Sequence, residues 1–243
     1  MVHPGTLLKS SFLATKAFFR SPARVSAPRP VAVSSAPLVV VVPIRSIGPS
    51  HAERIAAHLL ALEPRDRYLR FGYSASDEQV RRYVAGLDFE RDEIFGIYNR
   101  KLELIAMAHL AFCTDPELMS CAEFGVSVLA HARGRGYGAR LFDRAVMHSR
   151  NEGVQMMFIH ALSENTAMLN IARKAGATVE RDGSESEAYL KVRPADLDSR
   201  VTEMLDEQIA QTDYRLKVQA KKFWDFLALL QEIRQGVRDS RKL

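Results

Sequence analysis

The stretch ARGRGYGARL at 132–141 packs three glycines and three arginines into ten residues and runs directly into a helix-like segment, ARLFDRAVMHSRN. Glycines in such a turn let successive backbone N–H groups point at one anion with no Cβ in the way. A helix start adds unpaired N–H donors and the positive end of the helix dipole. Three chemistries compete for this pattern: an Arg/Gly nucleic-acid segment, a dinucleotide turn, and a cradle for some other phosphate.

Bulk charge argues against nucleic acid. The net charge is +5, but Lys9, Lys16, Arg20, Arg24 and Arg29 lie in residues 1–37, which hold no acid. The remainder is therefore formally neutral and lacks the broad basic footprint that phosphate-dominated binding needs. The dinucleotide turn fails on spacing: Gly134, Gly136 and Gly138 give G-x-G-x-G, and Ala139 stands where a third motif glycine belongs. The phosphate cradle remains.

The flanking elements alternate. LVVVVPIR (38–45), EIFGIYN (93–99), ELIAMAHLAF (103–112), AEFGVSVL (122–129), QMMFIHAL (155–162) and EAYLKV (187–192) read as strands. HAERIAAHLLAL, the Ser76-capped DEQVRRYVAGL, the segment after the glycine turn, and ENTAMLNIARKAG read as helices. Helices interleaved with strands predict an α/β sheet domain over 38–193. The turn then lies between a strand and a helix start.

At this point the residues resemble the GCN5-related N-acetyltransferases. R-G-R-G-Y-G matches their [Q/R]-x-x-G-x-[G/A] signature, and SENTAMLNIARKAGA resembles their second cofactor motif, both in the expected order. The resemblance covers about 38–193. It implies a mixed, splayed β-sheet flanked by helices, and acetyl-CoA as co-substrate. It implies that Arg133, Gly134, Arg135, Gly136, Tyr137, Gly138 and Ala139 hold the pyrophosphate. Val126, Ser127 and Val128 would bond the pantetheine arm through their backbone and polarise the thioester carbonyl. Asn165 would cap its own helix and contact the cofactor.

The acceptor implied is a primary amine, on a protein lysine or a small molecule. An amine of pKa near 10.4 is neutral in only about one molecule in a thousand at pH 7.4, a penalty of roughly 4 kcal/mol, so a general base is needed. Glu123 heads the strand carrying Val126–Val128 and resembles the family's strand-four glutamate. The sequence departs from many members at Asn165 plus seven, where Ala172 replaces a tyrosine acid. A glutamate without that tyrosine resembles the bacterial protein-lysine acetyltransferase branch, as does ALEPRDRYLRFGYS (61–74), with Arg70 and Tyr73 near the acceptor. A non-catalytic acyl-CoA-binding protein on the same fold stands as the alternative. His109 and His160 read as satisfied core histidines, and the Tyr137 ring as packing at the helix start.

The ends differ from the middle. Residues 1–37 read as a flexible basic extension; a cytoplasmic bacterial protein is expected, or an organellar one if that segment is a transit peptide. No run is long enough to span a bilayer. Cys113 and Cys121, with no CxxC or clustered histidines, predict reduced thiols and no metal. In the tail, 194–243, Leu205, Ile209, Thr212, Leu216, Gln219, Phe223, Phe226, Leu230, Ile233 and Val237 repeat at alternating spacings of four and three. That heptad seam predicts a helix that either covers the domain or associates with another copy.

Overall fold

The computed structural model describes residues 42–113 and 120–240, with side chains followed to residue 232. The basic N-terminal extension lies outside these residues. Along the chain run β1 (Arg45–Ser46), α1 (Ala52–Leu60), α2 (Pro64–Phe71), α3 (Asp77–Ala85), β2 (Glu93–Tyr98), β3 (Leu104–Phe112) and β4 (Cys121–Val128). Then follow α4 (Tyr137–Asn151), β5 (Met156–Leu162), α5 (Thr166–Lys174), β6 (Thr178–Asp182), β7 (Glu185–Lys191) and α6 (Leu197–Ser240).

The strands form one sheet in the order β1-β2-β3-β4-β5-β7-β6. Every pairing is antiparallel except β4 with β5. Period-two alternation splits the core between the two faces. Phe95, Leu110, Phe124 and Met157 join Leu141, Phe142 and Leu169 of α4 and α5. Ile94 and Met107 join Ile55, Leu59 and Val80 of α1 and α3 on the other face. The Phe124 and Phe142 rings meet edge to face, 5.0 Å between centroids.

Local signals account for the helix ends near the site. Ser76 and Gln79 form a reciprocal capping box at the start of α3. Pro64 opens α2, and Gly72 closes it in the left-handed region, φ 78°.

Two expectations need correction, and the open reading of the tail is narrowed. Of the described residues in the first strand reading (38–45), only Arg45 pairs with β2, together with Ser46 just beyond it and past Pro43, which has no N–H to give a ladder; residues 38–41 lie outside the described chain. Cys113 and Cys121 are joined as a disulfide rather than reduced. The β3–β4 register pairs Phe112 with Ala122, so the next two residues outward face each other, with Cα atoms 5.6 Å apart. Finally, α6 is one unbroken helix whose apolar seam does not cover the domain. Its opposite face does: Ala210 is buried, Glu207 accepts from the Ser46 N–H (3.2 Å), and Lys217 donates to the Tyr98 carbonyl (2.9 Å). Buried Arg144 of α4 lies 3.3 Å from both Glu203 and Glu207.

Candidate active site

Strands β4 and β5 pair over only three positions, Cys121↔Met156, Ala122↔Met157 and Glu123↔Phe158, and then part. Past Glu123, β4 has only β3 beside it, while β5 continues with β7. The fork frees the β5-facing backbone edge at Val126–Val128. A cleft of about 750 Å³ occupies the opening, lined in part by Glu123, Val126, Ile159, Asn165 and Met168. The structure thus brings Glu123, Val126 and Asn165 to one cavity.

Glu123 is exposed, on the same sheet face as Gly125 and Ser127. Val126 and Val128 are half-buried, their side chains packed against the core beneath the fork. Ser127 is buried, and its hydroxyl donates to Nε2 of His58 (2.8 Å), whose Nδ1–H donates to the Leu104 carbonyl (2.8 Å). With both nitrogens so used, the ring is held neutral as one tautomer. Burial pushes its pKa down from 6.5 to about 4.

That shift predicts a pH-dependent stability. The unfolded chain takes up a proton on His58 near pH 6.5 and the folded chain only near 4, so stability is full above pH 6.5 and is lost as pH falls through this window. At about 1.4 kcal/mol for each pH unit, the loss reaches about 3 kcal/mol by pH 4. Denaturant titrations of the parent and of His58→Gln between pH 4 and 7 measure it. Identical slopes for the two proteins would rule out His58 as the source.

The glycine turn follows β4 by one short helical turn, Ala130–Ala132. Gly134 (φ 74°) and Gly136 (φ 73°) are left-handed, and a Cβ on either would enter open space. The Arg133 N–H bonds the Ala130 carbonyl, and the first bond back from α4 is Arg140 N–H to Gly136 O, 3.1 Å. Between them, the N–H groups of Gly134, Arg135, Gly136, Tyr137, Gly138 and Ala139 find no backbone acceptor among the described residues. These residues therefore fit a pyrophosphate: consecutive donors, no Cβ obstruction, and a fifteen-residue helix whose positive end they form. Gly138 sits tight, where a Cβ would come 3.3 Å from Ile171, so α4 begins against α5. The Tyr137 ring packs on the core. The Arg135 side chain is exposed, whereas the Arg133 guanidinium is engaged in an ion pair with Asp66 of α2. Arg133 thus contributes an inter-element tie, and its backbone N–H is already used.

Asn165 caps α5, its Oδ1 accepting from the Met168 N–H (3.2 Å). Ala172 is fully buried, so α5 offers no acid from that position. His160 is not a core histidine: it is exposed on the cleft wall, 3.5 Å from Glu187.

A second set of residues, not singled out as a unit by sequence, faces Glu123's side of the sheet. Arg70 of α2 lines the cleft with its guanidinium against Gly125, where an added Cβ would lie 2.8 Å from Cζ. Arg70 donates to the Tyr83 hydroxyl (2.9 Å), Tyr83 to Nδ1 of His109 (2.7 Å), and His109 Nε2–H to Asp92 (3.0 Å). Burial lowers the pKa of His109 against the opposing pull of Asp92. Desolvation works against the Asp92 carboxylate, and hydrogen bonds from Arg91 and His109 overcome it and hold its pKa low. Each donor in this chain meets an acceptor, from the Arg70 guanidinium to the Asp92 carboxylate, so Arg70 is held in place. His109 is therefore a satisfied histidine, as its setting in an apolar strand suggests.

Residues 58–177 match the model of the Acetyltransferase (GNAT) family. Among solved structures, the GNAT domain of S. lividans PAT aligns with 21% identity and a TM-score of 0.52, covering 61% of this chain and 89% of that domain. A GNAT-family acetyltransferase from Streptococcus pneumoniae aligns with 12% identity and a TM-score of 0.50, covering 62% and 98%. Both share the fold. The family match spans just under half of the chain and marks residues 58–177 as similar to a GNAT acetyltransferase domain. Among the described residues, no helix is long and apolar enough to cross a membrane, and no group of three His, Cys, Asp or Glu is placed to hold a metal ion.

Proposed function

We propose that this protein moves the acetyl group of acetyl-CoA to the nitrogen of a primary amine, on a protein lysine or a small molecule, by direct attack in a ternary complex. The observation that carries the reading is the parting of β4 from β5 immediately after Glu123, inside the same cleft. A carboxylate at the fork suits the removal of a proton from an ammonium group before attack. The N–H groups of Val126 and Val128, which point away from β3, suit the pantetheine arm and the developing oxyanion. The unpaired N–H donors of Gly134–Ala139 suit the pyrophosphate, and Arg135 adds charge.

The far wall of the cleft favours a cationic acceptor. Glu180, Asp182, Glu185 and Glu187 of the β6–β7 hairpin line it and outnumber Arg181 beside them, opposite Arg70 on the α2 side. Such a field draws in an ammonium group more readily than a neutral hydroxyl.

The non-catalytic acyl-CoA-binding reading is favoured by Ala172, which leaves no tyrosine to protonate the departing thiolate. A thiol pKa near 8.5 makes that acid worth only roughly 1–2 kcal/mol, so its loss slows turnover without abolishing it. The deciding experiment offers acetyl-CoA with pools of amines and of lysine-containing proteins, and follows free thiol and acetylated nitrogen by mass spectrometry. Acetyl-amine formation supports the enzyme. Tight acetyl-CoA binding with no transfer to any pool would support the binding protein.

A further inference from the structure

Eleven of the twelve large apolar side chains that stand exposed among the described residues belong to α6. Six of the eleven, Leu205, Ile209, Leu216, Phe223, Phe226 and Leu230, fall on one periodic seam. The seam positions Leu205, Ile209, Thr212, Leu216, Gln219, Phe223, Phe226 and Leu230 are all exposed. After Ser199 at the start of α6, which bonds Asn151, the residues that fasten the helix to its own domain are Glu203, Glu207, Ala210, Tyr214 and Lys217. These repeat at the same four-three spacing but are displaced by two residues. Two residues are about 200° around a helix, so the two rows lie on opposite sides. Written as heptads, the outward row occupies positions a and d, and the docked row occupies b and f. Positions b and f form the outer face of a coiled coil, leaving the a/d seam free for a partner helix.

We propose that α6 pairs in parallel with α6 of a second copy of this chain, through the seam Leu205–Leu230. The layers select this occupant. In a parallel in-register pair each residue meets its own copy, so the Gln219 amides face each other and can hydrogen-bond. Thr212 already donates to the Gln208 carbonyl within its own helix (2.8 Å). In an antiparallel pair Gln219 would face one of the a residues Ile209, Leu216, Phe223 or Leu230, all apolar, and lose its partner. The flanks agree. Parallel pairing sets Gln208 beside Asp213, Arg215 beside Ala220, and Lys222 beside Leu227, with no like charges opposed. Antiparallel pairing brings Arg215 or Lys222 of one copy against the same cations of the other.

The area is sufficient. Leu205, Ile209, Leu216, Phe223, Phe226 and Leu230 are each 40–61% exposed. At the usual side-chain areas they present on the order of 500 Å² per copy. A pair therefore removes on the order of 1,000 Å² from water before the stems of Arg215, Lys222 and Leu229 are added, which is the size a specific interface requires. A monomer would leave this patch in water at the upper end of what soluble monomers tolerate.

The test uses the full chain. Light scattering at micromolar concentration should give twice the chain mass. The double substitution Phe226→Asp/Leu230→Asp should halve it, with thermal unfolding and acetyl-CoA affinity retained, because both side chains point away from the domain. Gln219→Cys should cross-link its two copies on mild oxidation, as only a parallel pair can bring this layer onto itself along with its neighbours; Gln219→Cys combined with Phe226→Asp/Leu230→Asp should not. A parent of single mass would overturn the proposal, whether the seam stays bare or residues 1–41 cover it. So would a dimer that survives the double substitution, or one that forms no cross-link.

Discussion

Glu123→Gln is expected to lower the acetyl-transfer rate by about 10²–10⁴, or roughly 3–5 kcal/mol, while leaving acetyl-CoA affinity nearly unchanged. Glu123 is exposed, so an amide of the same shape costs the fold little, within about 0.5 kcal/mol. The amide keeps the volume and one acceptor oxygen but cannot take a proton. The phosphate-facing turn and the freed edge of β4 are separate from this carboxylate, so cofactor affinity should hold.

The pH profile separates this role from simple attraction of a cation. If the carboxylate removes a proton from the incoming ammonium, the defect should shrink as pH climbs toward the amine pKa near 10.4, where the free base forms unaided. If Glu123 only attracts the cation, the loss should fall on KM and persist until the amine itself loses its charge. Steady-state rates on a genuine acceptor from pH 6 to 9 make the measurement. Rates within threefold of the parent throughout that range would remove Glu123 from the mechanism.

The strands that are apolar on one or both faces were legible in the sequence, because burial writes itself as β-branched and aromatic runs. β2, β3, β4 and β5 fall within two residues of their sequence readings. β6 was not legible. TVERD is an edge strand, mostly exposed, so no apolar alternation marks it. α2 hid in PRDRYLRF for a similar reason: none of its residues is buried, and only Pro64 and Gly72 announce its ends. The glycine turn was legible because left-handed backbone at Gly134 and Gly136 demands a residue type.

Contacts that depend on register and packing were not visible. The Cys113–Cys121 bond follows from which residues the β3–β4 ladder aligns, and spacing alone does not supply that alignment. The Arg70–Tyr83–His109–Asp92 chain joins two helices, a strand and a loop, and no local pattern links them. In α6, the heptad seam could be read from sequence, but its direction could not. Only the docked row Glu203, Glu207, Ala210, Tyr214 and Lys217 shows that the apolar side faces out.

Gly136→Val should weaken acetyl-CoA binding at least tenfold, about 1.4 kcal/mol, and two separate effects contribute. At φ 73° a β-branched residue is strained, and the turn would relax toward negative φ at a cost on the order of 1–2 kcal/mol. That relaxation re-aims the Tyr137 N–H and the first turn of α4. In addition, the new side chain would occupy space that the protein leaves empty, with no atom within 4 Å of the Cβ position. An open position beside donors that lack acceptors suits an anion, and a valine there denies it both room and hydration. Gly136→Ala separates the two causes: it carries the backbone strain with a single methyl, so its loss should fall between parent and valine. Gly153, also left-handed at φ 78° but past the end of α4, is the control. Gly153→Ala should cost comparable stability and no affinity. Calorimetry on folded variants gives the comparison. Unchanged acetyl-CoA affinity in Gly136→Val, with a destabilisation like that of Gly153→Ala, would reduce the turn to a connection between β4 and α4 and remove the cradle.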